Sequence, residues 1–91
     1  MQFARFLREG IRAGAITCTI RIWTRPRVKV GGRYRLGEGE IEVTSIQPIS
    51  IAEITPELAQ QSGFDSVDDL LKIAKHGEGE NIYYIEFRYH E

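Results

Sequence analysis

An early stretch of the chain alternates apolar and polar residues with a period of two. Its even positions are apolar: Ile16, Cys18, Ile20 and Ile22. Its odd positions are polar: Thr17, Thr19 and Arg21. Since successive side chains of a strand point to opposite faces, this spacing predicts a β-strand that ends near Trp23 and buries one face. The polar face is then either an ordinary solvent-exposed surface or the floor of a binding site.

The residues before this strand recur at helical spacing instead. Phe3, Phe6, Leu7 and Ile11 follow the three- and four-residue steps of one helix face, with charged residues between them. This pattern predicts a short amphipathic helix, and Gly14 is a suitable residue to end it.

Several short strands are predicted after the first one. Residues 24–29 form a basic loop or an edge segment, because Pro26 cannot donate to a central ladder. Further alternating runs predict strands over residues 33–36, 40–45 and 82–89. The alternation changes phase at Ser45, which predicts a β-bulge or a corner where the strand changes direction.

Two short helices are predicted before the last strand. Thr55 supplies a hydroxyl cap for the first helix, and Pro56 suits its first position. Ser66 with Asp69 three residues later has the spacing of a capping box for the second helix. Residues 75–77, with a lysine and a histidine before a glycine, suit the C-terminal end of that helix.

The order helix, strands, helices, strand predicts an α+β fold with a small, strongly bent sheet or barrel. The length fits one domain spanning residues 1–91. The composition, 42% hydrophobic and 27% charged, is ordinary for a soluble globular protein, and no apolar run is long enough to span a membrane. The single cysteine and the absence of an apolar leader near Met1 predict a cytoplasmic protein, which we expect to be a monomer.

The net charge of −1 conceals a strong asymmetry along the chain. Residues 1–35 contain nine basic residues and one acidic residue, a net charge of +8. Residues 36–91 contain three basic and twelve acidic residues, a net charge of −9. Either the two halves interleave their charges over one surface, or a basic patch lies opposite an acidic face. A basic patch predicts attraction of phosphates that weakens with added salt.

Several kinds of chemistry have no matching motif in the chain. His76 and His90 lack partners at metal-ligand spacing, and Cys18 belongs to the apolar strand face, so we expect no metal site. No nucleophile elbow, phosphate-binding loop or dinucleotide fingerprint occurs, and we expect no cofactor.

The polar face of the first strand is therefore the candidate site. Its residues, with the aromatic side chain and the basic loop that follow, are Thr17, Thr19, Arg21, Trp23, Arg25, Arg27 and Lys29. Guanidinium groups bind phosphates in a fork, hydroxyls complete hydrogen bonds, and an indole offers a stacking surface. The alternative is an exposed strand face on which threonine simply favours extended backbone, with the indole packed against the rim of the barrel.

The run GAITCTIR, residues 14–21, resembles the signature that opens ASCH domains, which belong to the PUA-like superfamily. That signature is roughly glycine, any residue, lysine, threonine, any residue, threonine, any residue, arginine. Three later segments are similar to family elements in the same order: VKVGG at 28–32, IAEITPELAQQSGFDSVDDLL at 51–71 and YYIEF at 83–87. The resemblance implies a PUA-like β pseudo-barrel of bent, mostly antiparallel strands, with an N-terminal helix and two short helices before the last strand. It also implies binding of RNA or a nucleotide.

One branch of the ASCH family hydrolyses acetylcytidine nucleosides to cytidine and acetate. In that branch the resemblance implies a threonine nucleophile, an activating lysine and a glutamate. Thr19 falls on the nucleophile position, but Ile16 falls on the lysine position and Ser62 on the glutamate position. A threonine hydroxyl is a weak nucleophile unless a base takes its proton, and isoleucine cannot do so.

We therefore predict a protein that binds RNA or a nucleotide through the candidate site and has no assigned catalytic residue. Two alternatives stay open. One is an amidohydrolase acting on acetylcytidine-type nucleosides with Thr19 as nucleophile, and the other is a protein-interaction module that uses the acidic C-terminal half.

Overall fold

The computed structural model describes residues 1–75 and 79–91. The fold is α+β, with a four-stranded antiparallel sheet that curls into a half-barrel. One helix precedes the sheet, and two short helices come before the last strand, as the sequence predicts. None of the helices in the described part of the chain has the length and apolar character that a membrane span requires.

Residues 1–75 and 79–91 form three helices, a short 3-10 turn and four strands. In chain order they are α1 Arg5–Arg12, β1 Cys18–Trp23, β2 Arg33–Leu36, β3 Gly39–Ile49, a 3-10 turn Ile51–Glu53, α2 Pro56–Gln61, α3 Val67–Ala74 and β4 Asn81–His90. The strands lie side by side as β1-β4-β3-β2, and each pair of neighbours is antiparallel. β1 and β2 are therefore the two edges of the sheet.

The ends of α2 and α3 are fixed by the residues that predict them. Thr55 Oγ1 accepts a hydrogen bond from Leu58 N at 3.2 Å, and Ser66 Oγ accepts one from Asp69 N at 3.1 Å. Each bond satisfies a backbone donor that the first helical turn leaves unpaired. Of the residues predicted to end α3, those at 76 and 77 lie outside the described ranges.

The phase change in β3 is a β-bulge. The pairing of β3 with β4 shifts between Val43 and Ser45. β3 continues beyond the predicted end to Ile49, and Pro48 lies within it opposite Tyr83. A proline is tolerated there because β2 pairs only with residues 39–42, so the other side of β3 is unpaired at this point.

The prediction that β1 buries only one face is wrong, because all six of its residues are buried. Ile20 and Ile22 pack in one core cluster with Leu70 and Ala74 of α3. Trp23 belongs to a second cluster, inside the curl of the sheet, with these residues: Val28, Val43, Tyr83 and Ile85. Helices thus cover one face of β1, while the curled sheet and the N-terminal residues cover the other. Apolar and polar side chains alternate along β1, but both kinds are buried.

Two further predictions about the core need correction. The apolar positions of β1, β3 and β4 predict a single core, but the residues separate into these two clusters, and Ile16 is only half-buried. The helical spacing predicts Phe6 on the buried stripe of the first helix, but this residue is 61% exposed. The buried side of α1 is defined by Leu7 and Ile11, and Phe6 lies about 100° around the helix from Leu7, whereas Phe3 reaches the core from the segment before the helix.

Candidate functional site

Arg21 lies in the middle of β1 opposite Tyr83 and is only 7% exposed. Its Nε donates to Thr19 Oγ1 at 3.2 Å, and its Nη2 donates to the backbone oxygen of Gln2 at 2.5 Å. The guanidinium carbon lies 4.8 Å from the centre of the Phe3 ring, which places a cation over an aromatic face. Neutral groups from β1 and from the N-terminal segment therefore hold this guanidinium in place.

The charge of Arg21 has no counter-ion within the described ranges 1–75 and 79–91. The ion pairs found there involve Arg33 and His90 with Glu40 and Glu42, and none reaches Arg21. Burial lowers the pKa of Arg21 from its usual value to about 10, so the side chain is still protonated at neutral pH. A buried cation without a counter-ion is unfavourable unless an anion completes the site.

Two clefts meet at Arg21. The first, which we call the arginine cleft, has a volume of about 230 Å³ and is lined by Met1, Gln2, Arg21, Trp23, Arg27 and Val28. The second, which we call the apolar cleft, has a volume of about 310 Å³, and Phe3, Leu7, Phe64 and Ile73 contribute to its walls. Arg21 and Gln2 line both clefts, so one guanidinium is available to a polar cavity and to an apolar one.

Trp23 is a wall of the site rather than an open stacking surface. Its side chain is 3% exposed, and its ring lies 6.2 Å from the Tyr83 ring at an angle of 41°. The sequence allows Trp23 to be either a stacking surface or a packed indole, and its surroundings match the packed indole.

The basic loop contributes one residue to the arginine cleft. Arg25, Arg27 and Lys29 are all exposed and form no ion pair within the part of the chain that the structure describes. Arg27 lines the cleft with Arg21, whereas Arg25 and Lys29 do not. Glu40 and Glu42 pair with Arg33 on β2 and leave the loop uncovered.

The two threonines have different surroundings. Thr19 is 6% exposed and lines the apolar cleft, where its hydroxyl accepts the bond from Arg21. Thr17 is exposed and lines neither cleft, although its backbone oxygen accepts from Phe87 N at 3.0 Å and extends the pairing with β4. The structure thus brings Thr19, Arg21, Trp23 and Arg27 together and leaves Thr17 apart from them.

The three positions matched to the hydrolase branch do not form one constellation. Ser62 is buried, and its Oγ lies 3.5 Å from Cys18 Sγ. Because Cys18 and Thr19 are adjacent in a strand, their side chains point to opposite faces, and Ser62 lies on the face away from Thr19. Ile16 offers only a hydrocarbon side chain. Among the hydrogen bonds of the described residues, the Thr19 hydroxyl has Arg21 as its side-chain partner, and arginine is a donor.

The sequence pattern missed the N-terminal segment as part of the site. The carbonyl of Gln2 and the ring of Phe3 both contact the Arg21 guanidinium. Phe3 fits the helical spacing of α1, which conceals its separate role, and a backbone carbonyl leaves no mark in the residue pattern. The late start of α1 at Arg5 is what frees these residues to lie over β1.

No family model, curated protein or solved structure matches this chain. Within residues 1–75 and 79–91, no group of three or more histidine, cysteine, aspartate or glutamate side chains is arranged to hold a metal ion. What the site offers a ligand is therefore two arginines, a hydroxyl and two clefts.

Proposed function

We propose that this protein binds RNA or a nucleotide at the face of β1 and the basic loop after it. The observation that carries the proposal is the buried Arg21 guanidinium, which is protonated at neutral pH, has only neutral partners among the described residues and faces two clefts. Phosphate suits a forked guanidinium, since two parallel N–H groups match two phosphate oxygens.

The charge around the clefts supports the same ligand class. Arg27 adds a second guanidinium to the arginine cleft, and Arg25 and Lys29 extend positive charge along the exposed loop. Such a row of unpaired cations attracts a polyanion and releases its counterions on binding. The apolar cleft beside it offers aromatic and aliphatic walls of the kind that accept a base.

The order of elements supports placing the protein beside ASCH domains. The curled antiparallel half-barrel carries a helix before it and two helices before its last strand, in the order that the resemblance implies. The segment with the strongest resemblance, residues 14–21, leads into β1 and forms the first four of its six residues. Assignment to the PUA-like superfamily is part of this proposal.

Binding of a fluorescently labelled single-stranded RNA, followed by anisotropy at increasing KCl, tests the proposal. We expect affinity to fall steeply between about 50 and 200 mM salt, because phosphate contacts release counterions. Arg27→Gln should weaken binding about tenfold, as expected for the loss of one charge-assisted contact of roughly 1.4 kcal/mol. Arg88→Gln is the matched control, since Arg88 is exposed on β4 and lines neither cleft.

Unlabelled mononucleotides in the same assay separate a nucleotide site from one that needs a longer RNA. Competition by a mononucleotide places the ligand within the clefts, whereas competition only by longer RNA indicates that the loop contributes most of the affinity. An RNA affinity that changes neither with the salt concentration nor in Arg27→Gln would overturn the proposal and favour the protein-interaction alternative.

A further inference from the structure

The hydrogen bonds of Arg21 leave much of its guanidinium available. The group carries five N–H donors, of which Nε uses one on Thr19 and Nη2 uses one on the Gln2 carbonyl. Nη1 has no hydrogen bond within the described residues, and Arg21 lines both clefts. Three donors are thus free for a ligand that enters from a cleft.

Thr19 and Gln2 also fix the orientation of the group. One holds the Nε edge and the other holds one Nη2 hydrogen, while the Phe3 ring covers one face of the plane. A guanidinium held at three points loses little further freedom when a ligand binds, which favours affinity.

The size of the arginine cleft limits what it can hold. Its volume of about 230 Å³ lies below the roughly 300–1,000 Å³ typical of pockets for whole ligands. Buried residues form part of its wall, namely Trp23 and Val28. The cleft therefore suits one compact charged group rather than a complete nucleotide.

We propose that the arginine cleft holds the terminal phosphate monoester of a nucleotide or of an RNA end. This inference rests on the proposed function and specifies the ligand of that site. A monoester carries a charge of about −1.5 to −2 at pH 7 and three acceptor oxygens, which match the free donors of Arg21 together with Arg27. An internal phosphodiester has chain on both sides and only one negative charge, so a small cleft with buried walls accepts it less well.

Two RNA oligonucleotides of one sequence, with a 5′-phosphate or a 5′-hydroxyl, test this inference, and a third with a 3′-phosphate tests the other end. We expect one of the phosphorylated ends to bind the wild type at least about tenfold more tightly than the unphosphorylated RNA. The advantage should shrink below about pH 6, where the dianionic monoester takes up a proton and keeps a single negative charge.

Arg27→Gln and Arg25→Gln form a matched pair for the assignment to this cleft. Both remove one exposed arginine from the same loop, but only Arg27 lines the arginine cleft. We expect the advantage of the terminal phosphate to disappear in Arg27→Gln and to persist in Arg25→Gln. Both variants alter exposed residues, so their folding is not in question.

The outcomes distinguish this inference from the function it rests on. If neither phosphorylated end gains affinity while salt-sensitive, Arg27-dependent binding of the hydroxyl RNA remains, the terminal-phosphate site is wrong and the proposed function stands. The terminal-phosphate site is also contradicted if Arg27→Gln and Arg25→Gln reduce the affinity advantage of the phosphorylated RNA equally, or if that advantage survives in Arg27→Gln. If no RNA or nucleotide binds at all, both proposals fail.

Discussion

The two edge strands of the sheet each carry an arginine in a very different setting. Arg33 on β2 is exposed, and its guanidinium lies 2.7 Å from a Glu40 oxygen and 3.6 Å from a Glu42 oxygen. The hydrogen bond from Arg33 to Glu40 and the charges of both glutamates raise the pKa of Arg33. Arg21 on β1 is buried among neutral groups, and desolvation lowers its pKa to about 10.

This difference separates a paired surface charge from the buried charge that we propose binds a ligand. Arg33 has the cross-strand partners expected of an exposed edge, and such pairs contribute little to stability because water and salt screen them. Arg21 is kept protonated inside the fold at a cost in folding free energy, which the proposed anionic ligand would offset. The edge strand whose arginine is least favourable electrostatically is therefore the one at which we propose ligand binding.

Removing the charge at each edge should have the most divergent effects on stability. Desolvation holds the pKa of Arg21 at about 10, well below its usual value, which corresponds to a cost of about 3 kcal/mol for the charged form. The two hydrogen bonds of Arg21 and its contact with the Phe3 ring together offset roughly 2 kcal/mol of this cost. Arg21→Met keeps much of the length of the side chain and should therefore raise the melting temperature by about 5 °C.

Arg33→Met is the control for this comparison and should leave the melting temperature unchanged. Thermal unfolding followed by circular dichroism, without ligand, measures both variants. A melting temperature of Arg21→Met below that of the wild type would show that the hydrogen bonds of Arg21 outweigh the cost of its desolvation. That result would contradict the proposed electrostatic difference between the two edge strands.

The sequence predicts the fold more completely than it predicts the site. Thr55 and Ser66 act through local geometry, so the residues themselves mark where the helices begin. The burial of Arg21 depends instead on the curl of the sheet and on the segment around Phe3, which come from distant contacts. The alternation in β1 correctly places Thr19 and Arg21 on one face but cannot tell whether that face is covered.

A carboxylate placed beside Arg21 should make it resemble Arg33. Gln2 is exposed and lines both clefts, so Gln2→Glu supplies a counter-ion at the site. We expect affinity for a nucleoside monophosphate to fall about fivefold, as for an added ion pair of about 1 kcal/mol. Gln47→Glu adds the same charge at an exposed position of β3 that lines neither cleft, and calorimetric titration of both variants should show a loss only in the first.

The smallest expected effect is the pH dependence of the stability difference between Arg21→Met and the wild type. A depressed pKa means that the folded state releases the Arg21 proton at a lower pH than the unfolded chain does, so this residue makes stability rise with pH above about 10. That contribution is lost as the pH falls through about 10. The gain in melting temperature of Arg21→Met should therefore be constant from pH 7 to 9 and begin to narrow above about pH 10, whereas a gain that stays constant would contradict the desolvation account.

The most direct test follows the Nε–Hε resonances of the arginines in a ¹⁵N-labelled protein as a nucleoside 5′-monophosphate is added. The signals of Arg21 and Arg33 are identified by their loss in the corresponding methionine variants. We expect a saturable shift of the Arg21 signal, because Arg21 faces the clefts without a counter-ion among the described residues. The Arg33 signal should stay in place, because Arg33 is paired with Glu40. An Arg21 signal that does not move at saturating ligand, or an equal shift of both signals, would contradict this expectation.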